Sequence, residues 1–211
     1  MDMRKLVVEF IGTFFLVLVI GMVVIEPGAG NLAPLAIGSV LAVMIFAGGH
    51  ISGAHYNPAV TLSIWLRGKA TLNDLAGYWI AQLLAGVAAA LVTSFMKPAM
   101  PAAPLNGSLN VGAALLAEFL FTFALVFVIL NVATAKGTEG NSFYGLAIGF
   151  TVLAGAYAVG GISGGSFNPA VTLGGSIMKI FAWGNIWLYL VGEFLGGAAA
   201  AYLFKYTHPG E

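Results

Sequence analysis

Cysteine is absent from this chain, and charge nearly so. Without a thiol there is no disulfide framework, no thiolate metal site and no cysteine nucleophile. Eight basic and eight acidic side chains make up 8% of the 211 residues and cancel to a net charge of zero, so no nucleic-acid partner is expected. A water-soluble domain carries roughly 25% charged residues, far more than this chain can place on a wet surface. Histidine is scarce as well. His50 and His55 stand five positions apart, not the four that bring two imidazoles onto one helix face for zinc, and no carboxylate is near them in sequence. No metal or other cofactor is expected, and His208 is read as a solvated tail residue. Ser63, Ser163 and Ser176 lack a histidine–carboxylate pattern that could activate a nucleophile. No catalytic residue and no enzyme are visible.

What is present is apolar. Hydrophobic residues make up 60% of the chain, and the mean hydropathy is +0.97. The fold class is therefore an all-α integral membrane protein. A helix that crosses the ~30 Å hydrocarbon core needs about 20 mostly apolar residues. Six stretches qualify, near Lys5–Ile25, Ala33–Gly49, Asp74–Phe95, Val111–Ala135, Ser142–Gly160 and Asn185–Lys205. Runs of that length exclude a β-barrel, whose strands alternate over about ten residues. Met1–Lys5 before an apolar run resembles a signal peptide, but the run continues to Ile25 without a small-residue cleavage site, which favours a first spanning helix. Two further apolar runs, Pro58–Leu66 and Pro169–Phe181, are only about ten residues long and reach about half-way through the bilayer. They read as re-entrant half-helices.

Both half-helices open on the same phrase, Asn57-Pro58-Ala59-Val60 and Asn168-Pro169-Ala170-Val171, 111 positions apart. Asn before Pro at the start of an apolar run is a helix N-cap followed by N1. Glu9-Phe10-Ile11-Gly12-Thr13-Phe14 likewise matches Glu118-Phe119-Leu120-Phe121-Thr122-Phe123, and the Gln82 stretch matches the Glu193 stretch. One channel domain over 1–211, made of repeats at about 1–100 and 111–211, is the expected organisation. Three spans per half is an odd number, so the second half is inverted relative to the first, and broken segments at matching positions point to a site at the bilayer midplane. Arg4, Lys5, Arg67, Lys69, Lys136 and Lys205 fall on one side of such a bundle, and Lys97 and Lys179 on the other. The positive-inside rule then makes both termini cytoplasmic. The short tails favour a prokaryotic inner membrane. Met96–Asn110 becomes an external loop, and its Asn106-Gly107-Ser108 is a glycosylation sequon that matters only on a eukaryotic secretory route.

Two half-helices that enter from opposite faces bring their N-termini together at the centre. Each N-terminus carries roughly half a positive charge from the helix dipole, and Asn57 and Asn168 become amide donors facing one point. Irregular backbone at that depth must be buried or line a wet cavity. The lead-in loops, with Gly53, Ala54 and His55 in the first and Gly164, Gly165 and Ser166 in the second, have few bulky side chains to block their carbonyls. The result is a narrow tube for water and small uncharged solutes, whose central positive field repels cations and protons. Glu9 and Glu118 sit inside spans, where a carboxylate is a functional candidate by default. Their matching positions favour propping the re-entrant loops over relaying protons. Gln82 and Glu193 are read in the same way. Trp65, Trp79, Trp183 and Trp187 fit interfacial belts, and glycines such as Gly86, Gly196 and Gly197 fit close helix packing.

The paired boxes, the lead-in Ser52-Gly53-Ala54-His55-Tyr56-Asn57-Pro58-Ala59-Val60-Thr61 and the Glu9–Phe14 opening resemble the aquaporin (major intrinsic protein) family. The resemblance spans nearly the whole chain. It implies six tilted transmembrane helices plus two half-helices in an hourglass, usually a homotetramer in the lipid bilayer with one pore per subunit. It assigns the pore asparagines to Asn57 and Asn168. The family's aromatic/arginine filter maps onto Ile37, Ala156, Gly165 and Val171. Water-selective members usually carry Phe, His, a small residue and Arg there, so this filter departs at three of four positions and is wider and more apolar. Val after the second box resembles the plant vacuolar-membrane aquaporins, which implies passage of ammonia, urea, glycerol or hydrogen peroxide besides water. The glycerol facilitators, which usually have Arg-Asp at the place of Val171-Thr172, are less similar.

A secondary transporter is the rival class, because it too uses inverted repeats and broken helices. Coupling needs a group that changes state at midplane, and asparagine does not titrate. A purely structural membrane protein is disfavoured by short termini and a single moderate loop.

Overall fold

The computed structural model describes residues 2–97 and 100–211. Among the described residues, eight α-helices follow in order: α1 Met3–Val24, α2 Ala33–Ser52, α3 Pro58–Leu66, α4 Leu72–Met96, α5 Val111–Ala133, α6 Tyr144–Ser163, α7 Pro169–Ile177 and α8 Ile186–Thr207. Among the described residues there is no strand. α1, α2, α4, α5, α6 and α8 are long and apolar enough to cross a membrane. At nine residues each, α3 and α7 span only about 13 Å.

Local chemistry explains the boundaries. Asp2 caps α1 through Arg4 N at 3.0 Å. Thr71 and Asp74 close a reciprocal capping box on α4, and Asn110 caps α5 through Ala113 N at 3.0 Å. α2 and α6 both end where a glycine takes the left-handed conformation, Gly53 at φ 88° and Gly164 at φ 97°. The second half-helix is shorter than its apolar run predicts. It stops at Ile177 rather than Phe181, because Lys179 adopts φ 60° and Ile180 N bonds back to Gly175 O at 2.8 Å. The first half-helix closes identically, with Gly68 at φ 83° and Lys69 N on Ile64 O at 3.0 Å. The backbone termination survives a change from glycine to lysine.

Packing is that of a membrane protein, with bulk outside and small residues within. Ile11, Val43, Ile80, Leu116, Phe150 and Leu195 face outward, whereas Ala85, Ala89, Ala90, Ala114, Ala200 and Ala201 are fully enclosed. α1 packs on α4, α5 on α8 and α2 on α6. Each half-helix also lies against the long helix of the other half, α3 on α8 and α7 on α4. Glycine makes that exchange possible. A Cβ on Gly86 would meet Ala170 O at 2.7 Å, and one on Gly197 would meet Ser63 Oγ at 2.7 Å.

Several polar residues have roles that composition did not reveal. Trp79, expected in an interfacial belt, instead donates from Nε1 to Pro58 O at 2.9 Å and steadies the start of α3. Lys97 is buried, and its ammonium bonds Ile25 O and, at 2.7 Å, Pro27 O. Arg67, at the end of α3, is buried with its guanidinium 4.6 Å from the centre of the Phe204 ring and 3.2 Å from Glu211. The Asn106 side chain of the sequon is not free. It donates to Ser163 O at 3.2 Å and to the Tyr189 hydroxyl, and it accepts from Ala182 N at 3.1 Å.

Candidate functional site: a lumen built on two half-helix N-termini

The N-termini of α3 and α7 meet in the middle of the bundle, and their two asparagines bind each other's loops. Asn57 Nδ2 donates to Phe167 O at 2.8 Å, and Asn168 Nδ2 donates to Tyr56 O at 2.9 Å. The amide oxygens are occupied as helix caps: Asn57 Oδ1 accepts from Ala59 N at 2.9 Å, and Asn168 Oδ1 from Ala170 N at 2.9 Å. An amide nitrogen has two hydrogens. With one committed across the centre, each asparagine keeps one N–H donor; Asn57 Oδ1 also accepts from Val60 N at 3.4 Å. Pro58 and Pro169 at N1 need no partner for a missing N–H. Ala59 and Ala170 are wholly buried beneath the boxes.

Each loop is held by a carboxylate from the first span of its own half. Glu9 accepts from Ser52 Oγ at 2.6 Å, His55 N at 2.9 Å and Tyr56 N at 2.7 Å. Glu118 accepts from Ser163 Oγ at 2.6 Å, Ser166 N at 3.1 Å and Phe167 N at 2.7 Å. The pull is strong enough to hold Tyr56 at φ 49° and Phe167 at φ 53°, a left-handed conformation that costs a non-glycine residue roughly 1–3 kcal/mol. Those twists turn the Tyr56 and Phe167 carbonyls to the opposite asparagines. Gln82 and Glu193 complete the supports, Gln82 by donating to Glu9 and Thr61 and Glu193 by accepting from Asn168 N and Thr172 Oγ1.

Two adjoining cavities run along these loops. One, of about 70 Å³, is lined by Asn57 and Asn168, by Ala54 and His55, and by Gly164, Gly165 and Ser166. Ile37, Ala156 and Val171 line the same space, and a Cβ on Gly165 would touch Ala156 Cα at 3.5 Å. The other, of about 610 Å³, opens beyond His55 and takes in Gly53 and His50. Ile45, Ala54, His55, Val60, Ile129 and Ile148 border both, so the two lie side by side. Opposite the loops stand aliphatic side chains, among them Leu16, Ile20, Leu41, Leu125 and Val152. Among the described residues lining the narrower part there is no Asp, Glu, Lys or Arg, and His55 Nδ1 lies 3.1 Å from Thr61 Oγ1.

Sequence reasoning missed Thr61 and Thr172, which tie the boxes to the supports, and Tyr78 and Tyr189, which donate to Ser52 O at 2.7 Å and to Ser163 O. A signal for them existed, because each pair is separated by the same 111 positions as the boxes. Asn106 and Trp79 carried none. Among the described residues no group of three His, Cys, Asp or Glu could hold a metal ion.

The chain is similar to known proteins in sequence and in fold. The family model described as "Major intrinsic protein" matches residues 2–204. Aquaporin NIP1-4 of Oryza sativa subsp. japonica is 35% identical over 96% of this chain and 76% of its own. Glycerol uptake facilitator protein-like 6 of Lactiplantibacillus plantarum is 37% identical over 95% of this chain and 96% of its own. In fold, the aquaglyceroporin of Plasmodium falciparum superposes with a TM-score of 0.79 at 23% identity, over 96% of this chain and 95% of that one.

Proposed function

This chain belongs to the major intrinsic protein family, and from that premise we propose that it is a permissive member whose filter admits solutes larger than water. It is an integral multi-pass membrane protein and a passive channel for water and small neutral solutes, not an enzyme. The observation that carries the permissive reading is the lining of the narrow cavity, where Ile37, Ala156, Gly165 and Val171 stand together without a fixed charge. An aliphatic, uncharged constriction holds no water by a strong hydrogen bond and sets no electrostatic toll on ammonia, urea, glycerol or hydrogen peroxide. In this reading Asn57 and Asn168 orient each passing molecule by their free N–H donors, and the loops of Gly53–His55 and Gly164–Ser166 offer carbonyl acceptors. Exclusion of protons and cations then rests on the two half-helix dipoles that meet at the centre.

The asymmetry of lysine and arginine supports cytoplasmic termini, and the bacterial relative supports a prokaryotic inner membrane. The assembly is assigned as a homotetramer, the state usual for the family, and the domain as a single pair of inverted repeats.

Stopped-flow light scattering on proteoliposomes tests the reading. Fast, non-saturating and ion-independent flux of water and of ammonia or urea is expected. Val171→Arg is expected to cut ammonia and urea flux severalfold while water still passes. Unchanged ammonia and urea flux in that variant removes Val171 from the constriction, and saturating, ion-coupled flux would replace the channel by a transporter.

A further inference from the structure

The two halves differ at one fully buried support. Gln82 in α4 and Glu193 in α8 stand 111 positions apart, as the boxes do, and neither is accessible to solvent. Gln82 Nε2 donates to Glu9 Oε2 at 2.8 Å and to Thr61 Oγ1 at 3.0 Å. Glu9 Oε2 therefore has two donors, Gln82 and Tyr56 N. Its counterpart Glu118 Oε2 accepts from Phe167 N at 2.7 Å. The second donor is missing there, because an ionised glutamate has no hydrogen to give. Glu193 meanwhile uses only Oε1, which accepts from Asn168 N at 3.0 Å and Thr172 Oγ1 at 2.7 Å. Its Oε2, like Gln82 Oε1 in the first half, is buried and has no partner.

The two carboxyl groups are neighbours. Between them they take three successive backbone N–H groups, Ser166 and Phe167 on Glu118 and Asn168 on Glu193. A Cβ on Gly192 would lie 3.0 Å from Glu118 Cβ. Among the described residues, the elements packed on α8 present no cation to the pair. α5 contributes Glu118 itself, α7 and α3 contribute hydroxyl and apolar groups, and α8 adds the Tyr189 phenol one turn away. Arg67 stands over Phe204 of α8, about 16 Å further along the helix at its usual rise, where Glu211 already pairs it. Two adjacent carboxylates without a counter-ion in a low-dielectric interior do not both ionise.

We infer that Glu118 and Glu193 hold one proton between them, carried on Glu193 Oε1, which meets Thr172 as Gln82 Nε2 meets Thr61, and donated towards Glu118 Oε2. Glu193 is then a positioning residue that does with an O–H what Gln82 does with an amide. The proton has a path from the lumen. Ser166 lines the cavity, its Oγ lies 2.7 Å from Thr172 Oγ1, and Thr172 Oγ1 lies 2.7 Å from Glu193 Oε1. Only O–H bonds are made and broken along it, and the proton returns to lumen water by the same hydroxyls.

Infrared spectroscopy of the full chain in liposomes tests this, comparing wild type with Glu193→Gln and Gln82→Glu. A protonated-carboxyl C=O band that shifts in D₂O is expected in the wild type and lost in Glu193→Gln, while Gln82→Glu gains a second such band. A wild type without the band, or a band that persists in Glu193→Gln, overturns the inference. Should Glu193→Gln not fold, Gln82→Glu decides: a gained band supports the pair, and its absence overturns it. The band reports the proton whichever solutes the filter passes.

Discussion

At the scale of single residues, the lumen depends on side chains that never touch it. Glu118 satisfies two loop N–H groups and the Ser163 hydroxyl, in a place where no water can replace them. Each buried donor left unpaired costs about 1–3 kcal/mol, and Phe167 at φ 53° would lose the bond to its N–H while keeping the one from Asn57 Nδ2 to its carbonyl. Glu118→Ala is therefore expected to lower stability by at least about 3 kcal/mol, which thermal unfolding in detergent measures as a large fall in midpoint. A midpoint equal to the wild type's would show that the loop stands without its carboxylate. The supports were legible in sequence because the Glu9 and Glu118 motifs repeat. The direction of their bonds was not, since a pattern of residue types contains no distances. Trp79 shows the same limit: its type fits an interface, while its position beside Pro58 gives it a hydrogen bond instead.

At the scale of elements, the half-helices are held by exchange between halves. α7 rests on α4 at Gly86 and α3 rests on α8 at Gly197. A side chain at Gly86 has nowhere to go, because a Cβ would already stand 2.7 Å from Ala170 O. Gly86→Val is expected to cost about 1–3 kcal/mol by overpacking and to reduce water permeability by displacing the second box. Gly184→Ala is the control, since nothing lies within 4 Å of its would-be Cβ. Equal loss of permeability in both variants would mean that Gly86 does not set the height of α7. The end of α7 teaches a related point. Hydropathy continues through Ile180 and Phe181, but the backbone turns at Lys179 and sends Phe181 back against Gly164 and Gly175. Apolar runs report burial, and burial is available to a turn as well as to a helix.

At the scale of the molecule, orientation is a matter of where charges and loops end up. The chain has no cysteine, so a single introduced thiol reports the side it faces. Ser108→Cys, in the exposed loop between the halves, is expected to react with an impermeant maleimide added outside intact cells. Thr207→Cys at the end of α8 is expected to react only after permeabilisation. The reverse pattern would invert the assigned topology. Asn106, in the same loop, is bound to Ser163, Tyr189 and Ala182, so the external loop is anchored to the second half.

The order of the chain alone determined the class, the count of spans, the two half-helices and the central asparagines. Those follow from hydropathy, run length and a phrase repeated at constant spacing, which are one-dimensional quantities. Only the tertiary structure decided which atoms meet: the crossing of each asparagine to the opposite loop, the early end of α7, the anchoring of Asn106 and the unpartnered oxygen of Glu193. The reason is that a hydrogen bond is made or lost within a few tenths of an ångström, and sequence separation carries no such measure.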